Sequence, residues 1–337
     1  MDTAQALLVV MWVGVTLYAL LAGADFGGGI WDLLAGRSRA GMPQRRLIEH
    51  SIGPVWEANH VWLIFVIVVL WTGFPPVFAA VMSTLYIPLT LAALGIIARG
   101  AAFAFRKAST ELWQQRLFGA AFATSSVLTP FFLGAVAGAV ASGRVPPGLA
   151  TGDLLTSWLN PTSLLGGVLA VAVCAYLAAV YLCDDAVRAG SPGLAEGFRR
   201  RALITGLVVG AVALCGIVVI HGDAPRLFDG LIHRGLALVI AGAVLGLLSL
   251  VLLWWRRYLP VRGTAALAVT AVVWGWPLAQ YPVMLPPALT VNGAAADPAV
   301  LGATLLVLAV GALLVLPSMA WLFLLQHRSP YDPSAHG

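Results

Sequence analysis

Charge is what this sequence has least of. Asp, Glu, Lys and Arg together make 10% of its 337 residues, where a soluble globular domain carries about 25%. A chain this long with so few charges cannot cover itself with a polar surface. That excludes a cytoplasmic enzyme, an ordinary secreted domain, a disordered chain and a coiled coil. Cysteine is also sparse. Cys174, Cys183 and Cys215 lie inside or at the ends of apolar segments with no CxxC spacing, so zinc ribbons, iron–sulfur clusters and c-type haem attachment find no support. The first residues, MDTAQALLVVMW, carry no basic side chain and no clear cleavage site. They read as an uncleaved first span and not as a signal peptide. A P-loop is missing, and so is any Ser/His/Asp arrangement on a plausible scaffold.

What is present is apolar. Hydrophobic residues make 60% of the chain, and the mean hydropathy is +0.93. A spanning helix needs about 20 mostly apolar residues. Runs of that kind fall near 6–30, 54–72, 77–97, 117–141, 162–183, 202–221, 235–254, 264–281 and 300–325. The second and third are parted only by Thr72-Gly73-Phe74-Pro75-Pro76, where the prolines end one helix and start the next. The expectation is an all-α polytopic membrane protein with nine transmembrane helices, forming a single integral membrane domain over 1–337.

The formal net charge of +5 resembles a nucleic-acid signal, but the basic residues lie between apolar runs and form no patch. Nucleic acid is not an expected partner. They read as topology markers. Arg37, Arg39, Arg45 and Arg46 follow the first run, and Arg99, Arg106, Lys107 and Arg116 the third. Arg188, Arg199, Arg200 and Arg201 follow the fifth, Arg256, Arg257 and Arg262 the seventh, and Arg328 sits in the tail. The opposite side has only Arg144, Arg226 and Arg234. Cytoplasmic loops concentrate Lys and Arg, so the N-terminus is expected outside and the C-terminus in the cytoplasm. The longest outward connections, Ser142–Pro161 and Pro282–Pro298, are rich in Pro, Gly and Ala and read as surface loops.

Ionisable groups inside a bilayer are costly and mark function or internal pairing. Of the 14 acids, all but Asp25, Asp32 and Glu57 fall in loops, tails or helix ends. No Lys or Arg is expected deep within a span to neutralise them. Glu57 stands about one turn inside the inner end of the second run, in Ser51-Ile52-Gly53-Pro54-Val55-Trp56-Glu57-Ala58-Asn59-His60-Val61-Trp62-Leu63. His60 is three residues on, hence on the same face. Two titratable groups there can form the mouth of a proton path; the plainer alternative is a helix-start glutamate favoured by the macrodipole. Asp25 lies in Gly23-Ala24-Asp25-Phe26-Gly27-Gly28-Gly29-Ile30-Trp31-Asp32. Its glycines allow close helix contact or a local break that holds water, and the plainer reading is a helix-end acid with a glycine hinge.

A haem of its own is not expected. Axial ligands are His or Met at matching depth on facing helices, yet of the histidines only His60 lies within a span, and a Met in an apolar span, such as Met11, Met82 or Met319, is usually packing. His221 is at an outer helix end, and His50, His233, His327 and His336 are in loops or tails.

The helix 1 and helix 2 motifs together resemble subunit II of the cytochrome bd quinol oxidases. Further points of likeness are Phe74-Pro75, Arg99, Asn160-Pro161, Tyr281-Pro282 and Leu289-Thr290. The resemblance implies nine helices with the N-terminus outside, in a multi-pass protein of the bacterial cytoplasmic membrane. It implies a larger, similarly folded subunit I as partner, carrying two b-type haems and one d-type haem. The complex would oxidise quinol outside and reduce O₂ to water with cytoplasmic protons. Subunit II would bind no cofactor, and membrane lipid, quinol and a small single-helix accessory subunit are its other candidate partners. It further implies that the acid at Glu57 belongs to a cytoplasmic proton uptake path, with Asp25 a neighbour. Departures accompany the likeness: one member of the family has Asp at the place of Glu57 and Gln at the place of His60. That member also has an acid where this chain reads Ala104. A stand-alone secondary transporter using Asp25 and Glu57 as a coupling pair is the rival reading, although such sites usually lie near the midplane. A purely scaffolding subunit is the third.

Overall fold

The computed structural model describes residues 2–35, 41–52, 56–108 and 112–328, with the side chains at 52, 56–58, 103, 106–108, 112, 115–116, 316, 322–323 and 325–328 left out. The side chain of Glu57 therefore lies outside the described residues. The first helix, α1 (Thr3–Leu34), opens on a reciprocal cap in which Asp2 Oδ1 accepts from the Gln5 amide at 2.8 Å and Gln5 Oε1 accepts from the Asp2 amide at 3.2 Å. Both orphan amides of the first turn are thereby satisfied. The chain continues through α2 (Met42–Ile52), α3 (Trp56–Gly73), α4 (Pro75–Thr84), α5 (Tyr86–Ala108), α6 (Leu112–Ala141), α7 (Pro161–Arg188) and α8 (Pro192–Asp223). It ends with α9 (Pro225–His233), α10 (Leu236–Trp254), α11 (Tyr258–Gln280), a hairpin of β1 (Val283–Leu285) and β2 (Leu289–Thr290), α12 (Val291–Ala294) and α13 (Pro298–Arg328).

Among the described residues, α1, α6, α7, α8, α10 and α13 are long and apolar enough to cross a membrane. The bent pair α3 and α4 raises the count to seven if it forms one span. The run read from sequence as a third span over 77–97 is divided. The part of it before Leu85 belongs to α4, which turns by 120° from α3, and the rest belongs to α5. Pro75 and Pro76 occupy the first turn of α4, after Phe74, where a missing N–H costs nothing. Pro88 then lacks the donor that the Thr84 carbonyl would need, and the helix restarts with the Leu89 amide bonded to the Leu85 carbonyl. The interior of α5 is therefore shifted by about three turns relative to the expected span, and Arg99 falls within it.

α7 is the hub, packing on α1, α6, α8 and α11. Its start is fixed by Asn160, whose Oδ1 accepts from the Ser163 amide at 2.9 Å, followed by Pro161. One core gathers Leu177, Val180, Cys183, Phe198, Leu253 and Val261 around α7. A second gathers Leu7, Val69, Phe74, Leu85 and Val145 near the opposite end. The connections read as surface loops contribute to that second core. Trp158, Leu285, Val291 and Ala294 are buried in it, so these segments cap the bundle.

Helix ends sort into two groups. At one end Gln5 donates to the Tyr281 hydroxyl at 2.8 Å, Ala296 donates to the Gly73 carbonyl at 2.9 Å, and Arg144 pairs with Asp223. At the other, Arg262 pairs with Asp184 at 2.9 Å and with Asp185 at 3.1 Å. Large side chains such as Leu207, Leu214, Val218, Leu247, Val307 and Leu313 are exposed along α8, α10 and α13. An apolar surface of that extent needs lipid or another protein over it.

Candidate functional site

The glycine-rich segment does not break α1, which stays helical from Thr3 to Leu34. Its glycines serve close approach. A Cβ on Gly27 would overlap the Cys174 carbonyl of α7 and come within 2.6 Å of the Ala178 Cβ. A Cβ on Gly29 would overlap Ser126 Oγ of α6 and come within 2.9 Å of an Arg99 nitrogen. Small residues at such crossings let membrane helices meet backbone to backbone. A nearby tie reinforces the contact, since Trp31 Nε1 donates to the Ala175 carbonyl at 2.9 Å.

Asp25, between Gly23 and Gly27, is thereby held inside the bundle with 4% of its surface exposed. Nine residues separate it from the end of α1, roughly 13 Å at 1.5 Å per residue. Of the two readings open for Asp25, the helix-end acid with a glycine hinge does not hold at this placement. Its carboxylate oxygen Oδ2 accepts a hydrogen bond from Asn59 Nδ2 on α3. His60, the next residue, lays its ring against Phe26, with centroids 5.7 Å apart and planes at 26°, and lies 6.1 Å from the Tyr18 ring. Asp25 and His60, singled out separately in the sequence, thus meet at one α1–α3 contact. Glu57 stands one turn before His60 on α3. Asp32 is buried too, seven residues from Asp25 and about 10 Å along the axis.

The absence of a buried base is also corrected. Arg99, counted with the loops after the third run, is 1% exposed in the interior of α5. Its Nη2 donates to the Asp25 main-chain carbonyl at 2.7 Å, and its Nη1 donates to Ser126 Oγ. Ser126 in turn donates to the Phe122 carbonyl at 2.6 Å. The guanidinium lies 5.0 Å from the centroid of Phe26 and 4.4 Å from that of Phe122, in range for cation–π attraction. A buried charge is tolerable when hydrogen-bonded and opposed by a counter-charge, and Arg99 and Asp25 meet both conditions. The arginine grips the carbonyl and leaves the carboxylate to Asn59.

Asn59, Arg99 and Ser126 were not singled out in sequence as parts of a site. Asn59 carried a signal, standing beside His60 inside an apolar run. Arg99 carried another: Gly100-Ala101-Ala102 continues the apolar pattern beyond it. The remaining acids of interest are structural. Asp184, read as a helix-end acid, is buried and accepts from Arg188 at 2.8 Å and Arg262 at 2.9 Å.

No group of three or more His, Cys, Asp or Glu poised for a metal occurs among the described residues. What the Asp25 cluster can do is hold a carboxyl group, a carboxamide and an imidazole together in a buried interior, in the neighbourhood of a fixed positive charge. Such a set can exchange hydrogen ions.

Comparison with known proteins agrees with this geometry. The family model for cytochrome bd terminal oxidase subunit II matches residues 3–326. The chain is 30% identical over 169 residues to a cytochrome bd ubiquinol oxidase subunit 2 of Bacillus subtilis, a match covering 50% of this chain and 48% of that protein. It is 30% identical over 189 residues to the cytochrome bd-I ubiquinol oxidase subunit 2 of Escherichia coli K12, covering 53% and 48%. These matches span about half the length of each relative. A chain of the bd oxidase structure from Geobacillus thermodenitrificans shares the fold, with a TM-score of 0.73 at 21% identity over 96% of this chain and 98% of that one.

Proposed function

Because the chain belongs to the cytochrome bd terminal oxidase subunit II family, we propose that it is the haem-free subunit of a quinol:O₂ oxidoreductase in the bacterial cytoplasmic membrane. In this reading it crosses the membrane nine times, N-terminus outside, and pairs with a subunit I that carries two b-type haems and one d-type haem. Those haems supply the oxygen and electron chemistry. This chain supplies protons drawn from the cytoplasm. Glu57 collects them near the inner boundary, and Asp25 and His60 hold them further in.

The observation that carries the reading is the buried Asp25 carboxylate on Asn59, with Arg99 on its carbonyl. A carboxyl group inside a bilayer costs several kcal/mol unless it is used or neutralised. Here the counter-charge is bound to the main chain and not to the carboxylate, whose Oδ2 is held by the neutral Asn59 amide. A carboxyl group held in this way can take up and release a proton. The surroundings also favour a subunit without its own haem. His60, the one histidine read within a span, faces the rings of Phe26 and Tyr18, and among the described residues no second His or Met is paired with it across the α1–α3 contact. Arg99 supplies a reason for the placement: by tying α5 to α1 it fixes the depth of the acid.

The test is a Glu57→Ala exchange in the purified oxidase. The expected result is quinol oxidase turnover reduced by a factor of about 10²–10⁴, with the haem spectrum retained. Unchanged turnover would leave the chain a scaffold. Colourless protein that is active alone would make it a transporter.

A further inference from the structure

A second site lies at the other end of the bundle. A half-open cavity of about 360 Å³ is bordered by α9, the end of α11 and the hairpin that follows, with Arg226, His233 and Arg234 among its lining residues. Leu227, Ala279, Val283, Pro286 and Pro287 give it an apolar wall. Only three arginines were assigned to this end of the molecule, and Arg144 is neutralised there by Asp223, with Nη–Oδ distances of 3.0 and 2.5 Å. The other two both line this cavity. Neither makes an ion pair among the described residues. The single acid in the lining is Asp229, so the two guanidiniums leave net positive charge even with the imidazole neutral. His233 Nδ1 lies 2.8 Å from the Asp229 carbonyl oxygen. That oxygen can only accept, which puts a hydrogen on Nδ1, so Nε2 accepts in the neutral ring and donates to an anion once the ring is protonated.

We propose that this cavity binds the phosphate group of an anionic membrane phospholipid. Arginine presents a planar fork of donors that matches phosphate oxygens two at a time, and two such forks beside an apolar wall suit a phosphodiester continuing into acyl chains. Location favours a lipid over a free anion. α9 joins the ends of α8 and α10, both of which are long and apolar enough to span, so the cavity sits at the level where headgroups lie. Basic pockets between membrane helices are used in this way elsewhere. Arg226, Arg234 and His233 are all exposed, open to a headgroup approaching from the bilayer. This site is separate from the Asp25 cluster, and its occupant does not depend on the proton-path reading.

The experiment uses the full chain with its native associates, solubilised in detergent and depleted of lipid. Phosphatidylglycerol, phosphatidylcholine or inorganic phosphate is then added, with retention read by native mass spectrometry and Tm by thermal unfolding. Phosphatidylglycerol should be retained and should raise Tm, while phosphatidylcholine does neither. An Arg226→Gln/Arg234→Gln double variant should bind phosphatidylglycerol roughly tenfold or more weakly. Arg257→Gln, at the opposite end, should bind as the parent does. Equal retention of both lipids by the parent chain, or undiminished binding by the double variant, overturns the proposal. So does a Tm rise produced by inorganic phosphate and not by phosphatidylglycerol, which would make the occupant a free anion. Should the double variant fail to fold, the comparison of the two lipids on the parent chain decides alone.

Discussion

Arg99 on α5 donates to the main-chain carbonyl of Asp25 on α1 at 2.7 Å, leaving the carboxylate of the same residue to Asn59. One residue thus joins two neighbours through two different groups, and the helices that carry them are fixed in register. Removing the guanidinium removes two charge-assisted bonds and two ring contacts at once. It also strips the counter-charge from a buried acid. Each hydrogen bond to a charged group is worth about 1.5–3 kcal/mol. Arg99→Met should therefore lower the thermal stability of the solubilised protein strongly. Arg99→Lys should recover part of the loss, because a lysine keeps the charge but lacks the fork that reaches Ser126 and the carbonyl together. Thermal unfolding of the three proteins side by side checks the order.

Asp25→Asn separates chemistry from packing. The side chain keeps its volume, and its amide oxygen still accepts from Asn59, so the packing should stand, with Tm lowered only by the loss of the counter-charge to Arg99. Proton exchange at that position is lost. If Asp25 passes protons, oxidase turnover should fall by a factor of about 10²–10⁴ with haem content unchanged. Turnover equal to the parent's would show Asp25 to be a packing residue, and Glu57 would then need another route inward.

Much of this architecture was legible in the sequence. Long apolar runs announced the helices, and the acids and glycines of Gly23–Asp32 and the Glu57–His60 pair marked the region where the Asp25 cluster forms. Three features escaped, each for a physical reason. Hydropathy treats an arginine as the end of a span, so Arg99 passed for a loop residue although its charge is met inside by a carbonyl, a hydroxyl and two rings. The division of 77–97 escaped because Pro88 acts through a missing amide four residues after Thr84, which an apolar average does not register. The connections over 142–161 and 282–298, rich in Pro, Gly and Ala, likewise read as surface loops, yet Leu285 and Val291 turn inward to close the core.

Gly27→Ala tests the contact that buries Asp25. The new Cβ would collide with the Cys174 carbonyl and Ala178, neither of which is the free end of a flexible side chain. The α1–α7 crossing must open. Overpacking of this kind costs about 1–3 kcal/mol, and the expected outcome is a lowered Tm with increased hydrogen exchange in α1 near Asp25. Gly193→Ala, where a Cβ meets nothing within 4 Å, should be neutral.

Asp153, in the connection after α6, accepts from the Thr156 and Leu155 amides at 2.7 and 2.9 Å and from the Thr156 hydroxyl at 2.9 Å. These bonds, the Thr156 amide foremost, hold its carboxyl below the ordinary value of 3.8. A carboxylate with a depressed pKa in the folded state contributes stability above its unfolded pKa and loses it as pH falls through the folded one. The turn should therefore keep its amide protection from neutral pH down to about pH 4 and lose it in stronger acid. Asp153→Asn should flatten that dependence. Hydrogen exchange at Thr156 and Leu155, followed against pH, is the measurement.

At the same end of the bundle Asp223 closes a staple between three segments. Arg144 approaches with both terminal nitrogens at 2.5 and 3.0 Å, and Thr162 donates its amide at 3.1 Å and its hydroxyl at 2.5 Å. The acid at the end of α8 thus holds the connection after α6 against the first turn of α7. The guanidinium is a third exposed, with side-chain accessibility of 33%, while the aspartate is at 15%, so screening by water discounts the ionic part. The hydrogen bonds to the Thr162 amide and hydroxyl are retained on losing Arg144 and lost on losing Asp223. Arg144→Gln should therefore cost roughly 1 kcal/mol, and Asp223→Ala about 2–3 kcal/mol, because it leaves the arginine and the Thr162 amide without their acceptor. A double variant should cost little more than Asp223→Ala alone, since both changes remove the same contact. Additive losses would mean that Arg144 has a second anchor of its own.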